Sequence, residues 1–210
     1  MALRILVVNP NGSEPITARV ADAVRAGMPG AVVEGMTNRD APPYLGSPAG
    51  LAAALDGVRA ILRARPAADA ALLACFADAE LGGTVPYPVL TLSQAAFAAM
   101  RRDGRPFSVV TGGHVWREPI RAMAAAHGCA PLLSGVRTLE ANALELGADR
   151  DPGRGHVLEA IARCRDDGAA RVLVAGAGFA GVTAGLRADA ALPLLDSVEC
   201  AVAALGVLAA

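Results

Sequence analysis

Four short stretches of this chain carry residue types that could do chemistry. "VVNPNGS" holds Asn9, Asn11 and Ser13, and "ACFADAEL" holds Cys75, Phe76, Asp78 and Glu80. "VVTGGHVW" holds Thr111, Gly112, His114 and Trp116, and "RVLVAGAGFAG" holds Gly176, Ala177, Gly178 and Gly181. Neutral amides and hydroxyls offer hydrogen-bond donors and acceptors, and histidine titrates near neutrality. A thiol can act as an acid or, once ionised, as a base. The last stretch has the G-x-G-x-x-G spacing of a dinucleotide-binding turn, with Asp196 following. A dinucleotide fold needs several further strands after that turn, and the residues beyond Gly181 suffice for one helix, one strand and a last helix. Small residues that let a helix N-terminus approach an anionic ligand explain the glycines better. They are expected to cradle a substrate carboxylate or imide.

The elements around these stretches must place them. Apolar runs at 3–8, 31–36, 70–75, 88–92, 106–111, 171–176 and 192–196 read as strands. Segments at 49–65, 94–102, 116–127, 154–167 and 197–208 have helical periodicity. Short continuous apolar strands alternating with helices predict an α/β fold with a parallel sheet covered on both faces. The chain also echoes itself. "LRILVVNPNGSEP" and "PFSVVTGGHVWREP" share a strand, turn and helix start, and "AALLACFADAELGG" pairs with "ARVLVAGAGFAGV", placing Cys75 on Gly176. Two similar halves are expected, one from 1–92 plus 196–210 and the other from 93–195. The C-terminal strand ends of both would form one cleft, the usual ligand position in open parallel sheets.

Composition excludes several classes. The chain has 210 residues, 54% of them hydrophobic and 3% aromatic, which fits helices packed on a sheet. A formal net charge of −1 argues against a nucleic-acid partner. "RILVV" is too short for a signal peptide and "CAVAALGVLAA" too short for a membrane span, so a cytoplasmic location without a membrane partner is expected. Cys75, Cys129, Cys164 and Cys200 form no C-x-x-C pair and no zinc-like spacing with histidine, so free thiols and no metal are expected. Oligomeric state stays open, although apolar chains of this kind often self-associate.

"ILVVNPNGSEPIT", "ACFADAEL", "PVLTLSQAAF", "FSVVTGG" and "VLVAGAGFAGV" follow an order and spacing that resemble hydantoin racemases. These belong to the aspartate/glutamate racemase superfamily, with allantoin racemase, maleate isomerase and arylmalonate decarboxylase as relatives. The similarity covers nearly the whole chain. It implies two pseudo-symmetric α/β halves with the active site between them, a small carbonyl or carboxylate substrate, and no cofactor. It also implies one cysteine from each half, facing opposite sides of the substrate's acidic carbon. Cys75 matches the first. Gly176 stands where the second would open a C-A-G-M-like block.

Arylmalonate decarboxylase resembles the mirror case, with its single cysteine in the second half. A one-thiol site suits loss of carbon dioxide, which generates an enolate without a base and needs one acid. Racemisation at a carbon beside a carbonyl would need a second base, and His114 at the end of a second-half strand is the candidate. Its other reading is a cap or packing residue. His127 and His156 read as surface residues, and Asp78 as a loop orienter or solvated turn. Asn9, Asn11, Phe76, Thr111, Gly112, Trp116, Gly176 and Ala177 are the expected substrate-binding residues, Trp116 as a wall for an apolar substituent. A ligand-binding protein that lost racemase activity is the third reading.

Overall fold

Strands of three to seven residues alternate with helices, and every strand pairs in parallel with its neighbours. The computed structural model describes residues 2–141 and 152–208; the parts of the two expected halves at 1, 142–151 and 209–210 lie outside them. The first sheet forms from β1 (Arg4–Asn9), β2 (Val32–Thr37), β3 (Ala70–Leu73) and β4 (Val89–Thr91), with α1 (Glu14–Gly27) and α2 (Pro48–Arg63) between them. After α3 (Leu92–Asp103) come β5 (Phe107–Gly112), α4 (Arg117–Ala126), β6 (Leu133–Leu139) and α5 (Pro152–Arg163). The chain closes with β7 (Arg171–Val174), α6 (Val182–Leu186), β8 (Leu194–Asp196) and α7 (Ser197–Leu208).

The two sheets repeat one topology. Their orders are β2-β1-β3-β4 and β6-β5-β7-β8, every neighbour parallel. The register repeats as well. Val7 faces Leu72 and Leu72 faces Leu90 in the first sheet, as Val109 faces Leu173 and Leu173 faces Leu195 in the second. The internal echo of the sequence is therefore an architectural repeat.

Two details depart from the sequence expectation. β6 is an eighth strand where none was expected, because Gly135 and Arg137 interrupt its apolar run at the sheet edge. The strands expected to reach 75 and 176 stop at Leu73 and Val174. Cys75 and Gly176 thus lie in the loops just beyond the strand ends, where backbone N–H groups are released from the ladder.

Helix faces and caps follow the sequence. α1 buries Ile16, Thr17, Val20, Ala21 and Val24, one stripe at helical spacing. α3 opens with a capping box between Thr91 and Gln94 and ends on Gly104 at φ 71°. Such an N-cap is worth about 1 kcal/mol. One apolar cluster includes Val7 and Leu72 of the first sheet with Val109 and Leu173 of the second, so the halves share a core. Among the described residues, no helix is long and apolar enough to cross a membrane.

Candidate active site

The loops after β1, β3, β5 and β7 converge on a cavity of about 70 Å³. Asn11 reaches it from the first loop, Cys75 and Phe76 from the second, Thr111, Gly112 and Trp116 from the third, and Gly176, Ala177 and Gly178 from the fourth. Eight of the ten residues expected at the site from sequence therefore line one cavity. Its volume is far below the roughly 300–1,000 Å³ of sites for drug-sized ligands, so it suits a small molecule.

Asn9 and His114 are placed elsewhere. Asn9 is fully buried beneath its loop. Its Nδ2 donates to Asn11 Oδ1 (2.9 Å), Ser13 O (3.0 Å) and Thr17 Oγ1 (3.1 Å), and its Oδ1 accepts from Asn11 N (3.1 Å). With both ends engaged, Asn9 shapes the turn that presents Asn11. Ser13 stands at the N-cap of α1 without a side-chain cap bond, and its N–H donates to Asn11 Oδ1 (2.9 Å). Those bonds occupy Asn11 Oδ1 and leave Nδ2 as its group for the cavity.

His114 does not line the Cys75 cavity. It lies in the turn before α4 with Nδ1 2.8 Å from Thr138 Oγ1, on a separate cavity of about 650 Å³ bordered by Arg117, Arg137, His156 and Arg163. Two of the arginines that border that larger space are ion-paired. Arg137 binds Asp167 at 2.7 Å and Arg163 binds Glu159 at 2.5 Å. The expectation of His114 inside the cleft fails because the chain turns at Gly113, at φ 87°, and carries the ring away toward the β6 edge.

The cavity is mostly apolar. Ile16, Tyr44, Leu45, Ala74 and Ile120 complete it, and none of the five was expected from sequence. The two isoleucines had a signal. "EPI" occurs at Glu14–Ile16 and again at Glu118–Ile120, so each half sends an isoleucine from the first turn of the helix after its first strand. Tyr44 and Leu45 come from the β2–α2 connection, which is held down by Asn38 Nδ2 on Pro10 O (3.2 Å) and by Gly12 N on Pro42 O (2.9 Å). Tyr44 Oη presses on the Gly113 backbone so closely that a Cβ there would sit 2.4 Å away. A first-half side chain thereby reaches the second-half wall.

Electrostatics at the site are set by desolvation. No Arg, Lys, His, Asp or Glu is among the described lining residues. Burial pushes the Cys75 thiol up to about 12. Nothing charged offsets that, so the resting group is a neutral thiol and a proton donor. The Thr111 hydroxyl donates to Ala175 O (2.8 Å), so its proton is engaged and only its lone pairs face a ligand. Thr111, expected among the substrate-binding residues, can therefore act there as an acceptor. Gly176 N donates to Ser197 Oγ (3.1 Å), whereas Ala177 and Gly178 open a 3-10 turn, whose first N–H groups have no partner inside it.

Gly176 itself sits at φ 128°, ψ 142°, a conformation that L side chains rarely adopt. The glycine turn continues into that 3-10 turn and the five-residue α6. Asp196, the acid that a dinucleotide site would use, is 2% exposed and accepts from Val198 N at 2.7 Å as the cap of α7. Among the described residues, no three His, Cys, Asp or Glu side chains gather to hold a metal ion.

Residues 5–205 match the family model described as Asp/Glu/Hydantoin racemase. The chain belongs to that family. Hydantoin racemase of Paenarthrobacter aurescens is 24% identical over 208 residues, 95% of this chain and 88% of the relative. The crystal structure of allantoin racemase from Pseudomonas fluorescens superimposes with a TM-score of 0.89 at 25% identity, covering 99% of this chain and 91% of that one. Arylmalonate decarboxylase shares the fold at a TM-score of 0.67 and 14% identity, over 98% of this chain and 92% of that one. Family membership makes the chain an enzyme of the isomerase class, with the two-sheet fold of the racemases.

Proposed function

We propose that the chain is a racemase of small, neutral, hydantoin-like compounds that moves a proton at a carbon beside a carbonyl, with Cys75 as the proton carrier on one face. The observation that carries this reading is the position of Cys75. It is the one thiol among the described lining residues of a cavity built from four strand ends and bearing no charged side chain. An uncharged ring with two amide functions matches the Asn11 amide and the opening N–H groups of the 177–179 turn. The apolar walls of Ile16, Leu45, Trp116 and Ile120 suit a small alkyl substituent.

The chemistry follows from the pKa. A carbon acid ionises readily only where its enolate meets fixed donors. Cys75 at about 12 is well matched to protonate such an enolate, and it becomes a base only once a bound ligand stabilises the thiolate. Inversion needs a second carrier on the far wall. Tyr44 is the other described lining side chain with an ionisable proton, and its hydroxyl lies against Gly113, the second-half neighbour of the lining residue Gly112. In this reading Tyr44 takes the role that the sequence suggested for His114. The proton transfers use the chain's own side chains and no cofactor.

A second reading is favoured by one feature, the glycine at 176. A site with a single strong proton donor also suits an enolate-forming lyase of the arylmalonate decarboxylase type, in which Cys75 protonates one face. The deciding experiment incubates the protein with single enantiomers of 5-alkylhydantoins and, separately, with aryl- and alkylmalonates. Decay of optical rotation supports the racemase, and carbon dioxide release from a malonate supports the lyase. Neither, across a panel of small substituents, would leave a protein that binds without turnover and overturn the proposal.

A further inference from the structure

The loop that carries Cys75 is held from the opposite half of the molecule. Asp78, three residues past Cys75, has both carboxylate oxygens 3.0 Å from Nε2 of His127. A carboxylate only accepts, so Nε2 carries the proton and donates. His127 is the C-cap of α4, the helix that begins beside Trp116 and bears Ile120, two walls of the cavity. The imidazole also stacks on Phe97 at 5.5 Å, and Phe97 meets the cavity residue Phe76 edge-on at 5.6 Å. Asp78 Oδ1 also accepts from the fully buried Ser93 Oγ at 2.7 Å, and Ser93 Oγ lies 2.8 Å from Thr91 Oγ1 at the start of α3. Arg101 of α3 adds a long bond to His127 O at 3.4 Å.

We propose that His127 is a positioning residue. By clasping Asp78 across the two halves, it fixes the Cys75 loop against the α4 wall and sets where the thiol stands relative to the substrate. The side chains of His127 and Asp78 are only 25% and 38% exposed, so the pair is better shielded than an open surface bridge. Surface location alone does not explain a histidine stacked on Phe97 and hydrogen-bonded to the carboxylate three residues past the thiol. This inference rests on the reading of Cys75 as the proton carrier, and its test is chosen to be separable from that reading.

Iodoacetamide labelling of the native protein, resolved by peptide mass spectrometry, measures Cys75 directly, with the buried Cys164 as internal reference. His127→Ala should let Cys75 react roughly tenfold faster as its loop opens locally, with Cys164 unchanged. On a hydantoin the same variant should lower kcat severalfold with KM nearly constant. His127→Gln, which keeps an N–H donor toward Asp78, should restore both. A shift in labelling without any hydantoin turnover supports the clasp and counts only against the proposed substrate. A folded His127→Ala protein with unchanged Cys75 labelling overturns the clasp, as does Cys75 and Cys164 becoming reactive together. Should His127→Ala not fold, Asp78→Asn weakens the same contact with little change of shape. Selective Cys75 exposure there supports the inference, and wild-type labelling there overturns it.

Discussion

The loop after β3 and the loop after β7 occupy equivalent places in two sheets of the same topology, yet only one carries a thiol. On the first-half side, Cys75 follows a short, wholly buried strand and is desolvated into a neutral acid. On the second-half side, Gly176 takes a backbone conformation that L residues rarely adopt and gives its N–H to Ser197. The difference is more than one missing side chain. Backbone geometry differs as well, so the second-half loop offers close approach and hydrogen bonding, and the first-half loop places a neutral thiol at the cavity. Fold symmetry does not entail chemical symmetry.

The largest expected effect comes from breaking the first side. Cys75→Ala should cut turnover of any accepted hydantoin by about 10²–10⁴, the usual worth of a general acid–base group, with the circular dichroism spectrum unchanged. Retention of more than a tenth of wild-type turnover would remove Cys75 from the mechanism. Next, Tyr44→Phe tests the second wall. Inversion should fall by roughly tenfold or more relative to α-proton exchange, because exchange can proceed through Cys75 alone. Equal losses of both rates would assign Tyr44 to binding.

Gly176→Cys sharpens the comparison in the other direction. A side chain at φ 128° carries strain of about 1–3 kcal/mol, so the melting temperature should drop by roughly 2–10 °C with little gain in inversion. A variant as stable as wild type that racemises faster would show that the missing thiol is the whole difference between the walls. The smallest effect is expected at His114. Its ring binds Thr138 on the other cavity, so His114→Ala should change turnover by no more than about twofold and stability by about 1 kcal/mol or less. A large loss of turnover would return His114 to the site.

Much of this architecture was legible in the sequence because apolar strand runs and helical stripes are local signals. The repeat of "EP" after each first strand and the Cys75/Gly176 pairing located the cleft and eight of its residues. What stayed hidden depends on direction and on long-range contact. Asn9 looked like a ligand-binding amide, and only the closed turn shows its bonds spent on Asn11, Ser13 and Thr17. His114 has the right neighbours in sequence, but a positive-φ glycine before it turns the chain aside. Tyr44 comes from an irregular connection with no periodicity to read, and its contact with Gly113 spans 69 positions of sequence. His127 read as a surface residue because its partner Asp78 is 49 positions away.

The asymmetry between the walls is tested most directly by proton exchange in deuterated water, followed by NMR from each enantiomer of one accepted hydantoin. The enantiomer whose α-hydrogen faces Cys75 should take up deuterium faster than it inverts, and the other should exchange little except by inverting. Cys75→Ala should abolish that excess exchange. Equal exchange from both enantiomers, each event tied to inversion, would contradict the account, because that is the signature of two matched bases on opposite walls.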